Sequence, residues 1–161
     1  MSTEIAMLLD LIDEAFDRRS WHGTNLRGSV RGLSVREAVW RPRPGRHNIW
    51  EITVHAAYWK YAVHRRLTGG KRGSFPLTGS DWFERSDPTG RKRWQADLTL
   101  LAEQHRALRD AIARLTPSDL RKTIPRGSTA TGMLIRGIAA HDLYHAGQIQ
   151  LLKRLMGRSP R

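Results

Sequence analysis

The chain contains no cysteine. That absence excludes a disulfide scaffold, thiolate ligands for a metal and a nucleophilic cysteine of the protein's own. Long apolar runs are missing too: no stretch approaches the roughly 20 residues that a membrane-spanning helix needs. The opening segment, MSTEIAMLLDLIDEAFDRR, is interrupted by acids and lacks a cationic start. We therefore expect no secretory leader, no membrane partner and a cytoplasmic location. Strand-like alternation is scarce, nothing repeats, and no tract is of low complexity. Acids are few as well, with Asp+Glu 15 against Lys+Arg 28 and a formal charge of +13. The 161 residues, 39% of them hydrophobic, are expected to form one domain, 1–161, with a substantial core.

A cationic excess of this size is one mark of a nucleic-acid binder. Here the basic residues are spread from Arg18 to Arg161 and bunch only locally, at Arg41/Arg43/Arg46 and Arg91/Lys92/Arg93. A solvated basic surface, helped by an anionic small substrate, accounts for that spread better. Nucleic acid is accordingly ranked behind a small-molecule substrate as the partner.

Four segments carry helical periodicity. The first, from about Thr3 to Arg19, places Ile5, Leu8, Leu9, Ile12 and Phe16 at three- and four-residue steps. The second opens with Asn48-Ile49-Trp50-Glu51, a cap residue with Glu three positions later. It continues through Ile52, His55, Tyr58, Trp59 and Ala62 and stops before Gly69-Gly70. The third is expected to start near Asp87-Pro88. Its Trp94, Leu98, Leu101, His105, Leu108, Ile112 and Leu115 alternate steps of four and three, the seam of a bundle helix. The fourth begins around Thr129 to Thr131 and carries Ile138, His141, His145, Ile149, Leu152 and Met156 to a C-capping Gly157. Ser34 with Glu37, and Thr116-Pro117, signal short helical turns. Residues 68–87 form the longest irregular piece, and Phe75, Trp82 and Phe83 within it suggest a segment folded over something apolar. The expected fold is all-α: a four-helix bundle with long crossover connections.

Of the seven histidines, only His141 and His145 are spaced by four. That spacing puts both rings on one helical face, close enough to converge on a cation. Seven histidines scattered over 161 sites would yield roughly 0.3 such pairs by chance, so spacing alone leaves two unrelated histidines open. The context favours more. Both lie near the apolar stripe of Ile138, Ile149 and Leu152, where a neutral imidazole needs partners for both nitrogens. A metal supplies one partner for each ring. His55, on the Ile52/Tyr58/Trp59/Ala62 side of the second helix, is placed to be a third ligand or a hydrogen-bonded core histidine. His105 is a less favoured fourth; His22, His47 and His64 are read as non-ligands. A metalloprotease fits poorly, because Asp142 stands where HExxH has its glutamate and no third histidine follows nearby.

Three stretches together resemble the DinB-like (DinB/YfiT) superfamily of metal-binding four-helix bundles: Gly32-Leu33-Ser34-Val35-Arg36-Glu37-Ala38-Val39-Trp40-Arg41-Pro42, Asn48-Ile49-Trp50-Glu51-Ile52-Thr53-Val54-His55-Ala56-Ala57-Tyr58-Trp59, and His141-Asp142-Leu143-Tyr144-His145-Ala146-Gly147-Gln148-Ile149. The resemblance covers almost the whole length. It implies that His55, His141 and His145 hold one divalent metal ion, with water completing the sphere, and that the protein is a homodimer. Some relatives are thiol S-transferases using bacillithiol, mycothiol or a similar low-molecular-weight thiol, others are maleylpyruvate isomerases, and many have no established activity. DNA repair is not implied.

Three imidazoles leave coordination positions open, the mark of a catalytic rather than a structural site. Imidazole ligands suit several metals, of which zinc and nickel are expected first. A thiol brought from outside fits the missing cysteine, and hydrolysis fits it equally. Glu51 precedes His55 by four residues and Gln148 follows His145 by three, so both are candidates to support the ligands or handle protons. Their plainer roles are a helix cap and an ordinary satisfied amide. Asp142 and Tyr144 are read as pointing off the ligand face. The favoured function is a metal-dependent enzyme, a thiol S-transferase or hydrolase acting on small molecules. The alternative is a non-catalytic metal-binding or nucleic-acid-contacting helical bundle.

Overall fold

The computed structural model describes residues 2–124 and 127–157. Seven helices appear there in chain order: α1 Thr3–Phe16, α2 Leu26–Val30, α3 Val35–Val39, α4 Ile49–Thr68, α5 Arg91–Ala113, α6 Pro117–Arg121 and α7 Thr131–Leu155. Among the described residues the only strand-like pairing is an isolated bridge between Thr123 and Ala130. The fold is all-α. The four long helices, α1, α4, α5 and α7, form the bundle: α4 packs on α5 and α7, and α1 on α7 and α5. No helix among the described residues is long and apolar enough to cross a membrane.

Local chemistry sets most of the helix starts. Ser34 with Glu37, Asn48 with Glu51 and Thr116 with Asp119 each close a reciprocal capping box. The box on α4 is anchored further, because the Asn48 amide donates to the Arg85 carbonyl at 2.6 Å. That bond ties the start of α4 to the end of the long 69–90 connection. Gly69 ends α4 in the left-handed region at φ 69°.

Two boundaries differ from expectation. The third long helix begins at Arg91 rather than at Asp87-Pro88. The Asp87 carboxylate instead accepts from the Thr89 backbone and hydroxyl at 2.8 and 2.7 Å, closing a turn that holds the chain out of the helix. The first ends at Phe16, short of Arg19. The short helix α2 was not anticipated, since five residues with a glycine inside give no full period to read.

The core divides into two apolar clusters. One gathers Phe16, Trp50, Trp94, Leu101 and Ile149; the other gathers Ile5, Ile12, Leu108, Ile112 and Ile138. Between them on α5 and α7 sit His105 and Asp142. They belong to a buried polar layer completed by Lys60 of α4 and Asp13 of α1. The Lys60 ammonium, 1% exposed, donates to Asp142 and lies 3.4 Å from His105 Nδ1. Asp13 accepts from Arg109 at 3.0 Å. One polar layer thus joins all four long helices.

Candidate metal centre

Helix phase brings the candidate ligands together. On α7, His141 and His145 are one turn apart; on the facing α4, His55 points at the same spot. His141 Nε2 lies 3.2 Å from His55 Nε2 and 3.1 Å from His145 Nε2. One ring nitrogen of each falls within 4.8 Å of the others. His105, by contrast, is taken up by Lys60 and Asp13 and stacks on Phe16 at 3.8 Å. His22, His47 and His64 also stand outside the cluster.

What lies behind each ring decides what faces forward. His55 Nδ1 is 3.0 Å from the Asp81 backbone carbonyl, which can only accept, so Nδ1 carries the proton and donates. His145 Nδ1 likewise donates to Gln148 Oε1 at 2.7 Å. In the neutral rings both Nε2 atoms are then bare lone pairs, aimed at the third Nε2 of His141. At most one of the two contacts can be bridged by a proton from His141. A cluster of bare nitrogens at this spacing fits a divalent cation, which the donor set of three imidazoles suits. The buried Nδ1 of His141 has no partner among the described residues.

Burial also keeps these rings neutral. It lowers the pKa of His55, against an opposing pull from the Asp81 carbonyl and carboxylate. His141 is pushed down to about 3, by burial first and then by His145, His55 and Lys60. His145 is lowered to about 4, again mainly by burial, with Gln148 opposing. Near neutral pH all three rings are uncharged, each with one N–H and one free lone pair, the state in which imidazole binds metal.

The triad opens on a cavity of about 760 Å³. The long connection between α4 and α5 forms one side of it. Phe75 and Phe83 sink into the core, as their apolar character suggests, while Trp82 takes a different place. Its ring stacks on His55 at 3.9 Å and on His47 at 3.6 Å, making a three-ring pile. Asp81 beside it has φ 66°, unusual for a residue other than glycine. In that conformation its carbonyl meets His55 while its carboxylate accepts from Trp59 Nε1 at 2.8 Å. Asp81 was missed by sequence reasoning, and His47, read as a non-ligand, was given no part in the stack it makes with Trp82. The aromatic content of 68–87 was the available signal, but it does not say which ring reaches which histidine.

Gln148 lines the cavity and supports His145 directly. Glu51 does not turn toward the histidines. Its oxygens accept from Arg41 at 2.5 and 2.7 Å, from the Asn48 and Arg85 backbone, and lie 3.2 Å from His47. These bonds hold its carboxyl below the usual carboxylate range despite the opposing effect of burial. It is the cap and anchor of α4. Asp142 does point away from the triad, into the closed layer, but Tyr144 is part of the cavity wall and meets His145 edge-on at 5.2 Å.

A sequence model described as the DinB superfamily matches residues 18–149, more than half of the chain. No curated protein matches. Among solved structures, the crystal structure of a conserved protein from Enterococcus faecalis has the same fold, with a TM-score of 0.71 at 14% identity. The match covers 98% of this chain and 99% of that one.

Proposed function

The chain belongs to the DinB superfamily, and from that premise we propose that it is a metal-dependent enzyme acting on small molecules, with His55, His141 and His145 holding one zinc or nickel ion. One observation carries this reading: three neutral imidazoles face one another through Nε2 at 3.1–3.2 Å, with two of their Nδ1 protons already donated elsewhere. A cation held by three imidazoles keeps open positions, at which it lowers the pKa of a water or an external thiol.

The chain's own residues supply the rest. The Asp81 carbonyl and Gln148 fix the tautomers and orient the rings. Trp82 stacks on the His55 ring and Trp59 meets it edge-on, which holds the plane of that ring. No cysteine can attack from the protein, so a thiol S-transfer would use a low-molecular-weight thiol that binds in the cavity. Hydrolysis of a small molecule is the companion reaction within the same reading.

Elemental analysis of protein purified without a histidine tag tests the site. About one zinc or nickel ion per chain is expected, and none in the His141→Ala/His145→Ala variant. Equal metal content in the two proteins removes the assignment. A panel of thiols and electrophiles, assayed with the metal-loaded protein, then tests the transferase reaction against hydrolysis.

A further inference from the structure

The cavity beside the histidines is chemically lopsided. One wall comes from the last turns of α7, where Tyr144, Leu151 and Leu155 are 64%, 57% and 57% exposed. The opposite rim is the loop between α3 and α4, which contributes Arg43 and Arg46. Arg41 in that loop is paired with Glu51 at 2.5 Å. Arg43 and Arg46 differ: neither guanidinium has a hydrogen bond or ion pair among the described residues. The single carboxylate lining the cavity among the described residues, Asp81, is engaged by Trp59 Nε1 and lies 3.2 Å from His55 Nδ1. The arginines therefore stand at the mouth of an apolar pocket with their charge unanswered.

We infer that this cavity takes a small organic anion with an apolar body. Its carboxylate, sulfonate or phosphate is held by Arg43 and Arg46, and its aliphatic or aromatic part lies on Tyr144, Leu151 and Leu155. Guanidinium forks match such oxyanions in two-point contacts that a lone ammonium cannot make. An apolar wall also selects against polyhydroxylated molecules, whose hydroxyls would be left unpaired against the leucines. The ligand so described is the substrate that meets an external thiol or water, not the thiol itself. That last assignment rests on the proposed function; the binding of head and tail does not need the metal.

The test uses two dyes of similar size, anilinonaphthalene sulfonate, which is anionic, and phenylnaphthylamine, which is neutral. Each is titrated by fluorescence against the full chain, with and without bound zinc. Both dyes are expected to bind the wild type. Arg43→Ala/Arg46→Ala should weaken the anionic dye about tenfold while leaving the neutral dye within about twofold. Leu151→Asp/Leu155→Asp, at exposed positions that the fold does not depend on, should weaken both dyes. Anionic-dye binding that is unchanged in the arginine variant overturns the inference, and so does a wild type that binds neither dye. Zinc content measured on the same samples separates the two claims. The dye pattern without zinc binding removes the metal site and leaves this one; zinc bound normally, with dyes indifferent to both variants, does the reverse.

Discussion

His105, buried, and His141, half-buried, are both imidazoles inside the same bundle, yet their surroundings are opposite. His105 sits in a closed layer where Lys60 approaches Nδ1 and Asp13 stands 3.5 Å from Nε2. Its lone pair meets a cation and its proton faces a carboxylate. His141 faces two other imidazoles whose protons are engaged elsewhere, beside a cavity. The neighbours Asp142 and His141 divide the two regions, since successive residues of a helix point about 100° apart. A histidine whose charges and protons are balanced by the protein is structural. One whose lone pair is crowded by other lone pairs is waiting for something from outside. This contrast can be broken from either side.

The largest effect is expected in the closed layer. Lys60→Met leaves Asp142, which is wholly buried, without its cation. Burial already pushes that carboxyl up to about 6 against the pull of Lys60. Removing the ammonium should cost about 3–5 kcal/mol, read as a lower urea midpoint. The double variant Lys60→Met/Asp142→Leu should recover most of that loss, because a matched apolar pair carries no desolvation penalty. Equal losses in single and double variants would mean that packing of the lysine stem, not charge balance, holds the layer.

The open region is expected to respond to metal instead. Zinc at about a hundred times its dissociation constant should stabilise the wild type by about 2.7 kcal/mol, seen as a rise in Tm. The His141→Ala/His145→Ala variant should show no rise. His105→Gln should keep it in full, because His105 belongs to the other region. A lost zinc response in His105→Gln would show that the two regions are coupled.

These regions were unequally legible. The His141/His145 pair is a local pattern, and the phase of α4 places His55 on the buried side. The resemblance then joined them across 86 positions. The capping box at Asn48 and Glu51 could be read because it spans three residues, whereas the engagement of Glu51 by Arg41 and Arg85 depends on two separate connections. Lys60 carries no local signal of its role, and its partner lies 82 positions away on α7. Asp81 and Trp82 sit in an irregular stretch whose path follows from where Phe75 and Phe83 bury. Charge pairs and loop contacts at such separations leave no periodicity in the chain.

The pH dependence sharpens the contrast further. Burial, followed by Lys60, Arg109 and Arg27, pushes the His105 pKa from 6.5 down to about 2. The unfolded chain therefore binds a proton that the folded one refuses. The contribution of His105 to stability is full above pH 6.5 and is lost as the pH falls from there toward about 2. The slope for one such proton is about 1.4 kcal/mol per pH unit. His105→Gln offers Lys60 an acceptor and Asp13 a donor but does not titrate, so its urea midpoint should fall less steeply below pH 6.5. Parallel pH profiles for the two proteins would place a proton on His105 in the folded state.

The smallest effect separates the two functions of Asp81. Its left-handed backbone, at φ 66°, suits asparagine nearly as well as aspartate and suits a β-branched residue badly. Asp81→Val should therefore cost about 1–2 kcal/mol, with the lost Trp59 bond adding to it. Asp81→Asn keeps both the conformation and an oxygen for Trp59 Nε1, so a change under about 0.5 kcal/mol is expected. Zinc affinity in Asp81→Asn tells which atom orients His55. The main-chain carbonyl at 3.0 Å is untouched by the substitution, and the carboxylate oxygen at 3.2 Å loses its charge. Unchanged affinity assigns the role to the carbonyl, as its shorter contact indicates. A drop would hand it to the side chain, and would make the loop's sequence, rather than its path alone, part of the metal site.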